Sequence, residues 1–339
     1  MDVCNDSIRK MLSVVVPIYN EENYIAGCID SILAQEFSHA ELEIVLVDGM
    51  SRDRTREIIA AYIRKYPFIR MVDNPRRFVP YAMNIGIEKA RGDVIMRLDA
   101  HATYEKNYFS VLSSALWTYD VDNVGAVCKT DVLSKTPKTL AIREVLSHRF
   151  GVGNSLFRTG IKGAQEVDTV PFGCWKRETF DKYGLFDVRL VRNQDIELNK
   201  RIRRGGGKVL IVPDTFSTYF ARETFTELAR NNYKNGQWNV LTVYYTKDFS
   251  SLSVRHFVPL AFVLGLLLPL LLGVCWPPTC VLSFAVLLSY LLTLGCISAR
   301  LALLKGLNLF YLLASFATLH VSYGCGSLTA LFRLPFMKH

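Results

Sequence analysis

The chain has 339 residues, half of them hydrophobic, and a formal net charge of +9, enough for one large domain and an accessory part. The positive balance comes with no nucleic-acid motif, so no nucleic acid is expected as partner; an anionic membrane surface and an anionic substrate account for it. Eight scattered cysteines without a Cys-x-x-Cys pair exclude a disulfide framework and point to reduced thiols.

Met1–Lys10 is polar and the apolar run after it is short and β-branched, so no secretory signal is expected. Leu12–Ile18 reads as a strand ending at Pro17-Ile18-Tyr19-Asn20, and Glu22–Gln35 has helical apolar spacing. Leu42–Val47 reads as a second buried strand ending at Asp48-Gly49, and Arg54–Lys65 as a helix. A short strand at Ile69–Val72, a helix at Tyr81–Ala90 and a strand at Val94–Leu98 follow. This alternation predicts an α/β fold with a doubly wound, mostly parallel sheet, whose ligands gather at the carboxyl ends of the strands. Farther on, Glu166–Val170 reads as a strand and Asn193–Arg204 as a helix stopped by Gly205-Gly206-Gly207. Glu223–Asn232 reads as another helix, leading into Tyr233–Trp238.

From Phe257 onward there are four Lys or Arg and no Asp or Glu. Phe257–Trp276 and Thr279–Ala299 are uncharged apolar runs of 20 and 21 residues. At about 1.5 Å per residue each is long enough for the roughly 30 Å hydrocarbon core, so both are expected to span. A third stretch, Leu307–Phe332, carries His320, Gly324 and Gly326 and is open between spanning, re-entering and lying in the interface. Arg255 and His256 before the first span, with Arg300 and Lys305 after the second, place the N-terminal part in the cytoplasm by the positive-inside rule. Arg333 and Lys338 would then fall outside if the third stretch crossed. The expected division is a catalytic domain over 1–248, an interfacial linker over 249–256 and a multi-pass membrane region over 257–339 at the inner or plasma membrane.

Three polar clusters, Tyr19-Asn20-Glu21, Asp48 and Asp99-Ala100-His101, each stand just past a strand. Asp and His two apart can turn toward one divalent cation; the bland alternative is that Asp99 caps a helix starting near Glu105. Asp48 can accept from a nucleobase or ribose, whereas Ser51 or Asp53 is better placed to cap the following helix. Asn20 and Glu21 are open between capping and nucleotide contact.

These motifs resemble family 2 glycosyltransferases, whose catalytic domains have the GT-A fold. Val14–Glu22 resembles the family's opening strand and nucleotide loop, and Val47–Thr55 its second nucleotide turn. Asn84-Ile85-Gly86 and Gly92-Asp93 precede Asp99-Ala100-His101 at its metal motif, and Asn193–Leu198 resembles its catalytic-base motif. Phe150–Ser155, Val167–Gly173 and the hydrophobic C-terminus are similar to a membrane-anchored group of the family that serves succinoglycan biosynthesis. The resemblance implies an enzyme that moves a sugar with inversion from a nucleotide-sugar donor, expected to be a UDP-sugar, to a hydroxyl of a lipid-linked saccharide. It places Pro17, Tyr19, Asn20, Glu21, Asp48, Asn84, Arg97, Asp99, Arg230, Lys234 and Trp238 on the donor side, and Phe172, Gly173 and Gln194 on the acceptor side. Asp99 and His101 are the implied ligands of Mn2+ or Mg2+; His101 departs from the acid common there. Asp195 is the implied general base, with Gln194 where the family commonly has Glu. The Arg230, Lys234, Gln237 and Trp238 cluster departs from the family's Gln-x-x-Arg-Trp and equally suits a snorkelling interfacial segment. The alternatives are a polyprenyl-phosphate sugar synthase, a processive polymerase and a non-catalytic nucleotide-binding membrane scaffold.

Overall fold

The computed structural model describes residues 11–38 and 41–337. Met1–Lys10, with Cys4, and Lys338 therefore lie outside the described residues. The first elements are β1 (Leu12–Ile18), α1 (Ile25–Leu33), β2 (Leu42–Asp48), α2 (Thr55–Lys65), β3 (Ile69–Asp73), α3 (Val79–Lys89) and β4 (Val94–Arg97). Then come β5 (Ala102–Tyr104), α4 (Tyr108–Thr118), β6 (Asn123–Asp131), α5 (Pro137–Val145), α6 (Arg149–Val152) and α7 (Leu156–Thr159). They are followed by β7 (Gln165–Glu166), β8 (Cys174–Lys176), α8 (Glu178–Tyr183), α9 (Gln194–Arg204), β9 (Val209–Phe220) and α10 (Phe225–Thr246). The apolar tail forms α11 (Val258–Leu272), α12 (Cys280–Lys305) and α13 (Leu309–Arg333).

Among the described residues the strands make one sheet in the order β3-β2-β1-β4-β8-β6-β9-β5, with β7 on β9. The half from β3 to β4 is parallel, as expected, and β8, β7 and β5 pair antiparallel to their neighbours. The sheet is thus mixed, and less parallel than its first hundred residues suggest. β1 and β2 read as near-continuous apolar runs because parallel strands are covered on both faces. The buried Glu43 carboxylate holds the strands' amino ends: it accepts from Ser13 Oγ at 2.5 Å and from the Arg91 backbone N–H, and pairs with Arg70 at 3.3 Å. Pro17 follows Val15, the last β1 residue paired with β4, so its missing N–H breaks no bond on that side.

The expected strand at Glu166–Val170 shrinks to Gln165–Glu166. One further backbone bond runs from Val167 N to Val209 O, after which other partners draw the chain away. Thr169 Oγ1 accepts from Asn199 Nδ2 at 2.9 Å, and Val170 packs where Gly125 leaves no room for a Cβ. The helix expected to stop at Asn232 runs unbroken from Phe225 to Thr246.

Two compact units emerge, one of residues 1–128 and 160–219, the other of 129–159 and 220–339. In the second unit α5 and α13 share a core of Ala141, Val145, Leu312, Phe316 and Leu319, closed by Lys305 Nζ on Glu144 at 2.7 Å. Three helical stretches, Val254–Leu272, Pro277–Lys305 and Leu309–Phe336, are long and apolar enough to cross a membrane. His320 is a satisfied interior histidine, with Nε2 2.7 Å from Phe150 O and Nδ1 3.2 Å from Tyr290 Oη.

α10 meets α13 backbone to backbone: a Cβ on Gly236 would stand 1.9 Å from Tyr323 O, and one on Gly326 2.0 Å from Tyr233 O. Gly236→Ala is therefore expected to destabilise the protein by about 1–3 kcal/mol through overpacking, read as a lowered melting temperature in detergent. Gly295→Ala, where no atom lies within 4 Å of the new Cβ, leaves it unchanged.

Candidate active site

The carboxyl ends of the parallel strands form a strained rim. Seven non-glycine residues among those described have positive φ, and five stand here: Asn20, Met50, Arg77, Phe172 and Asn193. Such backbone persists only where its surroundings hold it, and it concentrates at ligand sites.

The donor-side cluster is built at the ends of β1 and β2. Asn20 Oδ1 accepts from Arg52 N at 2.9 Å, Asn20 N donates to Ser51 Oγ at 2.9 Å, and Glu21 N donates to Thr55 Oγ1 at 2.8 Å. Neither side chain caps α1, which has no side-chain cap. Asp48 is fully buried, accepting from Arg56 Nη1 at 2.5 Å and Ser51 Oγ at 2.6 Å. It anchors the turn, while Asp53 accepts from Thr55 N at 3.1 Å and starts α2. Hydrogen bonds donated to Asp73 and Asp48 keep the Arg56 guanidinium above its usual pKa. Tyr19 is exposed on this rim, with the Arg77 guanidinium 5.8 Å from its ring centre.

Asp99 stands one residue beyond Leu98, whose N–H donates to Val15 O at 3.0 Å. Helix α4 starts at Tyr108 with Asn107 as its N-cap, so Asp99 is not a helix cap. Its backbone is clamped by Tyr104 Oη, which accepts from Asp99 N at 2.7 Å and donates to Asp99 O at 3.2 Å. Its carboxylate Oδ1 accepts from Arg97 Nη2 at 3.1 Å and Nε at 3.3 Å. Among the described residues Oδ2 has no hydrogen-bond partner. Burial pulls the Arg97 pKa down, but the charges of Asp99 and then Asp195 outweigh it and hold the guanidinium above its ordinary value. Arg97 thus couples the strand-end carboxylate to Asp195, which lies in the first turn of α9. Among the described residues the buried Arg97 Nη1 has no partner.

His101 Nδ1 lies 3.3 Å from Glu21 Oε1, and its ring packs edge-on against Tyr219 at 5.0 Å and Tyr24 at 6.4 Å. Among the described residues no group of three His, Cys, Asp or Glu forms a ready protein cage. Asp99 with an open oxygen, His101 and the nearby Glu21 instead suit a cation that takes most of its ligands from substrate and water. Below them, burial, with the charges of Asp99 and Glu21 added, pushes the Cys28 thiol far above its usual pKa, so it is inert.

On the other side, Gly173 O accepts from Arg97 N at 3.0 Å, which holds Phe172-Gly173 against the end of β4. Gly173 has φ +94, and a Cβ there would meet the Trp175 ring at 2.4 Å, so only glycine fits. Asp195 Oδ1 accepts from Ile196 N at 2.9 Å, and the α9 dipole favours its negative charge. The neighbouring Gln194 is buried and its Oε1 has no partner among the described residues. A neutral amide suits that position better than a second carboxylate.

Asn84 is half-buried in α3. Its Nδ2 donates to Phe186 O at 2.9 Å and its Oδ1 accepts from Phe186 N at 3.0 Å, so the amide braces that loop. Asn84→Ala should destabilise the fold by about 1–3 kcal/mol by leaving both backbone groups unpaired, with donor KM unchanged. A raised KM without loss of stability would instead make Asn84 a donor contact. Arg230, Lys234 and Trp238 recur every fourth residue on one face of α10, in the second unit.

Tyr104 and Arg192 are among the residues of the site that were not anticipated. Tyr104 was missed because β5 is three residues long, too short for a periodic signal. Arg192 was missed because nothing marks it in sequence; burial lowers its guanidinium pKa, and its interaction with Tyr219 places it near His101.

Residues 13–184 match the model of the family described as glycosyl transferase family 2. The dolichyl N-acetyl-alpha-D-glucosaminyl phosphate 3-beta-D-2,3-diacetamido-2,3-dideoxy-beta-D-glucuronosyltransferase of Methanococcus voltae is 26% identical over 236 residues, 66% of this chain and 71% of its own. Succinoglycan biosynthesis protein ExoA of Rhizobium meliloti is 26% identical over 250 residues, 73% of this chain and 74% of its own. Among solved structures, the mannosyltransferase PcManGT from Pyrobaculum calidifontis in complex with GDP-Man and Mn2+ is similar with a TM-score of 0.61 at 19% identity. That match covers 96% of this chain and 88% of the other, and supports a common GT-A fold. The matched stretch runs from β1 through β8 and carries the strand ends that form the rim; the chain belongs to glycosyl transferase family 2.

Proposed function

We propose that the chain is an inverting, divalent-cation-dependent transferase that moves a sugar from a nucleotide-sugar to a hydroxyl of a membrane-lipid-linked saccharide in glycan assembly. The observation that carries this reading is the buried Arg97, which interacts with Asp99 at a strand end and with Asp195 at a helix start. In this reading Asp99 serves the donor diphosphate and Asp195 the acceptor.

Asp195 takes the proton of the acceptor hydroxyl as its oxygen attacks the anomeric carbon. The bond from that carbon to the diphosphate breaks, and its electron pair leaves with the nucleoside diphosphate. A single displacement inverts configuration, so an α-linked donor yields a β linkage. A divalent cation, when bound, supplies positive charge for the departing diphosphate, and Asp99 and His101 are the residues that would hold it. Arg192 adds a cation to the same rim, and Tyr19, Asn20, Asp48 and Arg77 shape the nucleoside side. Phe172, Gly173 and Gln194 shape the acceptor side. By resemblance the donor is a UDP-sugar, and by the positive-inside rule the catalytic domain belongs on the cytoplasmic side of the membrane. Two relatives, named as a dolichyl-phosphate-linked sugar transferase and a succinoglycan biosynthesis protein, support a lipid-linked acceptor. A dolichyl-phosphate beta-glucosyltransferase, 28% identical over 170 residues, supports the rival reading in which the acceptor is a bare lipid phosphate.

Membranes carrying the chain, supplied with a panel of nucleotide-sugars and a lipid extract, should release nucleoside diphosphate from one donor. Release should stop with a chelator and return with Mn2+ or Mg2+. Turnover indifferent to the chelator, or none with any donor, would remove the proposal.

A further inference from the structure

We propose that α13 lies in the membrane interface and does not cross, so that the bilayer is traversed only by the α11–α12 hairpin. By length and hydropathy α13 qualifies as a third span. Its neighbours and its depth argue otherwise.

The depth follows from side-chain register. α11 and α12 are antiparallel, with Phe262 against Tyr290 at 4.4 Å and Ser283 Oγ donating to Leu266 O at 2.8 Å. This pairing puts the first turn of α11 level with residues near Leu294 of α12, and α12 continues from there to Lys305. α13 returns beside that extension, with Leu312, Phe316 and Leu319 packed with Leu301 and Leu294. By Gly324 it has reached only the first turn of α11, where a Cβ would stand 2.3 Å from Pro259 O. Nine residues then remain to Arg333, about 14 Å of helix against a core of roughly 30 Å. Arg333 would end inside hydrocarbon if α13 pointed straight inward.

The second observation is α10. It runs beside α13 in the same direction, from Phe225 against Tyr311 at 6.3 Å to Gly236 against Tyr323 and Ser327. Between these points α10 exposes Arg230 and Lys234 and carries Asn231, Asn232 and Asn235. A helix so charged does not lie in hydrocarbon, and α13 stays at the depth of the partner it touches from Tyr311 to Ser327. The free face of α13 is apolar: Phe310, Val321 and Phe332, eleven residues apart and so on one side, are 70%, 44% and 70% exposed. An apolar line along a helix whose other side carries a polar partner is the pattern of a helix lying in the plane of a lipid surface. The glycines at 324 and 326 let α11 and α10 approach α13 at once. α13 is thus a shelf that fixes α10 at headgroup depth. It also resolves the charge conflict, since Arg333 stays on the side of Arg255 and Lys305.

Labelling of full-length protein by a membrane-impermeant maleimide, with each reactive site identified by peptide mass spectrometry, tests this arrangement. Phe249→Cys reports the side on which α11 begins, the native Cys275 reports the hairpin turn, and Met337→Cys reports the end of α13. In oriented vesicles Phe249→Cys and Met337→Cys should label from one side and Cys275 from the other. Labelling of Met337→Cys together with Cys275 would overturn the proposal. So would protection of Met337→Cys in both vesicle orientations with full reaction in detergent, which would bury the end of α13 in the bilayer.

Discussion

Replacing Asp195 with Asn is expected to lower sugar transfer by about 10²- to 10⁴-fold, the usual contribution of a positioned base, while the protein folds and binds donor normally. Asn preserves the shape of the side chain and can still accept from Ile196 N, so α9 keeps its first turn. The change removes the proton acceptor and one of the two carboxylates that interact with Arg97. The readout is kcat for transfer beside the dissociation constant of the nucleotide-sugar. Loss of kcat with unchanged donor affinity marks a group acting on the acceptor; loss of affinity would move Asp195 to the donor side. Transfer that survives at full rate would favour the bare-phosphate acceptor, which is already ionised and needs little base catalysis.

Arg97→Met is expected to have the largest effect on stability. The Arg97 side chain is 8% exposed and Asp99 20%, and the guanidinium makes two contacts to one carboxylate oxygen. Removing the cation leaves the partly buried Asp99 carboxylate without its guanidinium partner. Breaking one partner of such a pair costs about 3–5 kcal/mol, measured here as lost resistance to thermal or chemical unfolding. The double variant Arg97→Met/Asp99→Asn should recover part of that stability, because the stranded charge is gone. It should recover no transfer, since the group that faces the diphosphate is gone too. Recovery of activity along with stability would show that Asp99 serves only the fold.

The parallel half of the sheet was legible because β1, β2 and β4 are short β-branched runs that end in polar residues. The same pattern located Glu21, Asp99 and His101 at one rim. What the sequence concealed was of two kinds. β5 and β8 are three residues each, and their pairing is decided by distant partners rather than by local pattern. In α10 the run Asn231-Asn232-Tyr233-Lys234-Asn235-Gly236 has poor helix propensity, and packing against α13 overrides it. The partners of Asp48 and Asn84, namely Arg56, Ser51 and the Phe186 backbone, were hidden for a related reason, since they are fixed only by the fold.

The mass of the lipid product tests the central claim most directly. Membranes carrying the chain are incubated with labelled nucleotide-sugar and divalent cation, and the extracted lipids are weighed by mass spectrometry before and after mild acid. The account predicts a lipid-linked saccharide longer by one sugar, with the new residue released only together with the older ones. A lipid bearing a single sugar on one phosphate, formed equally well by the Asp195→Asn protein, would contradict it.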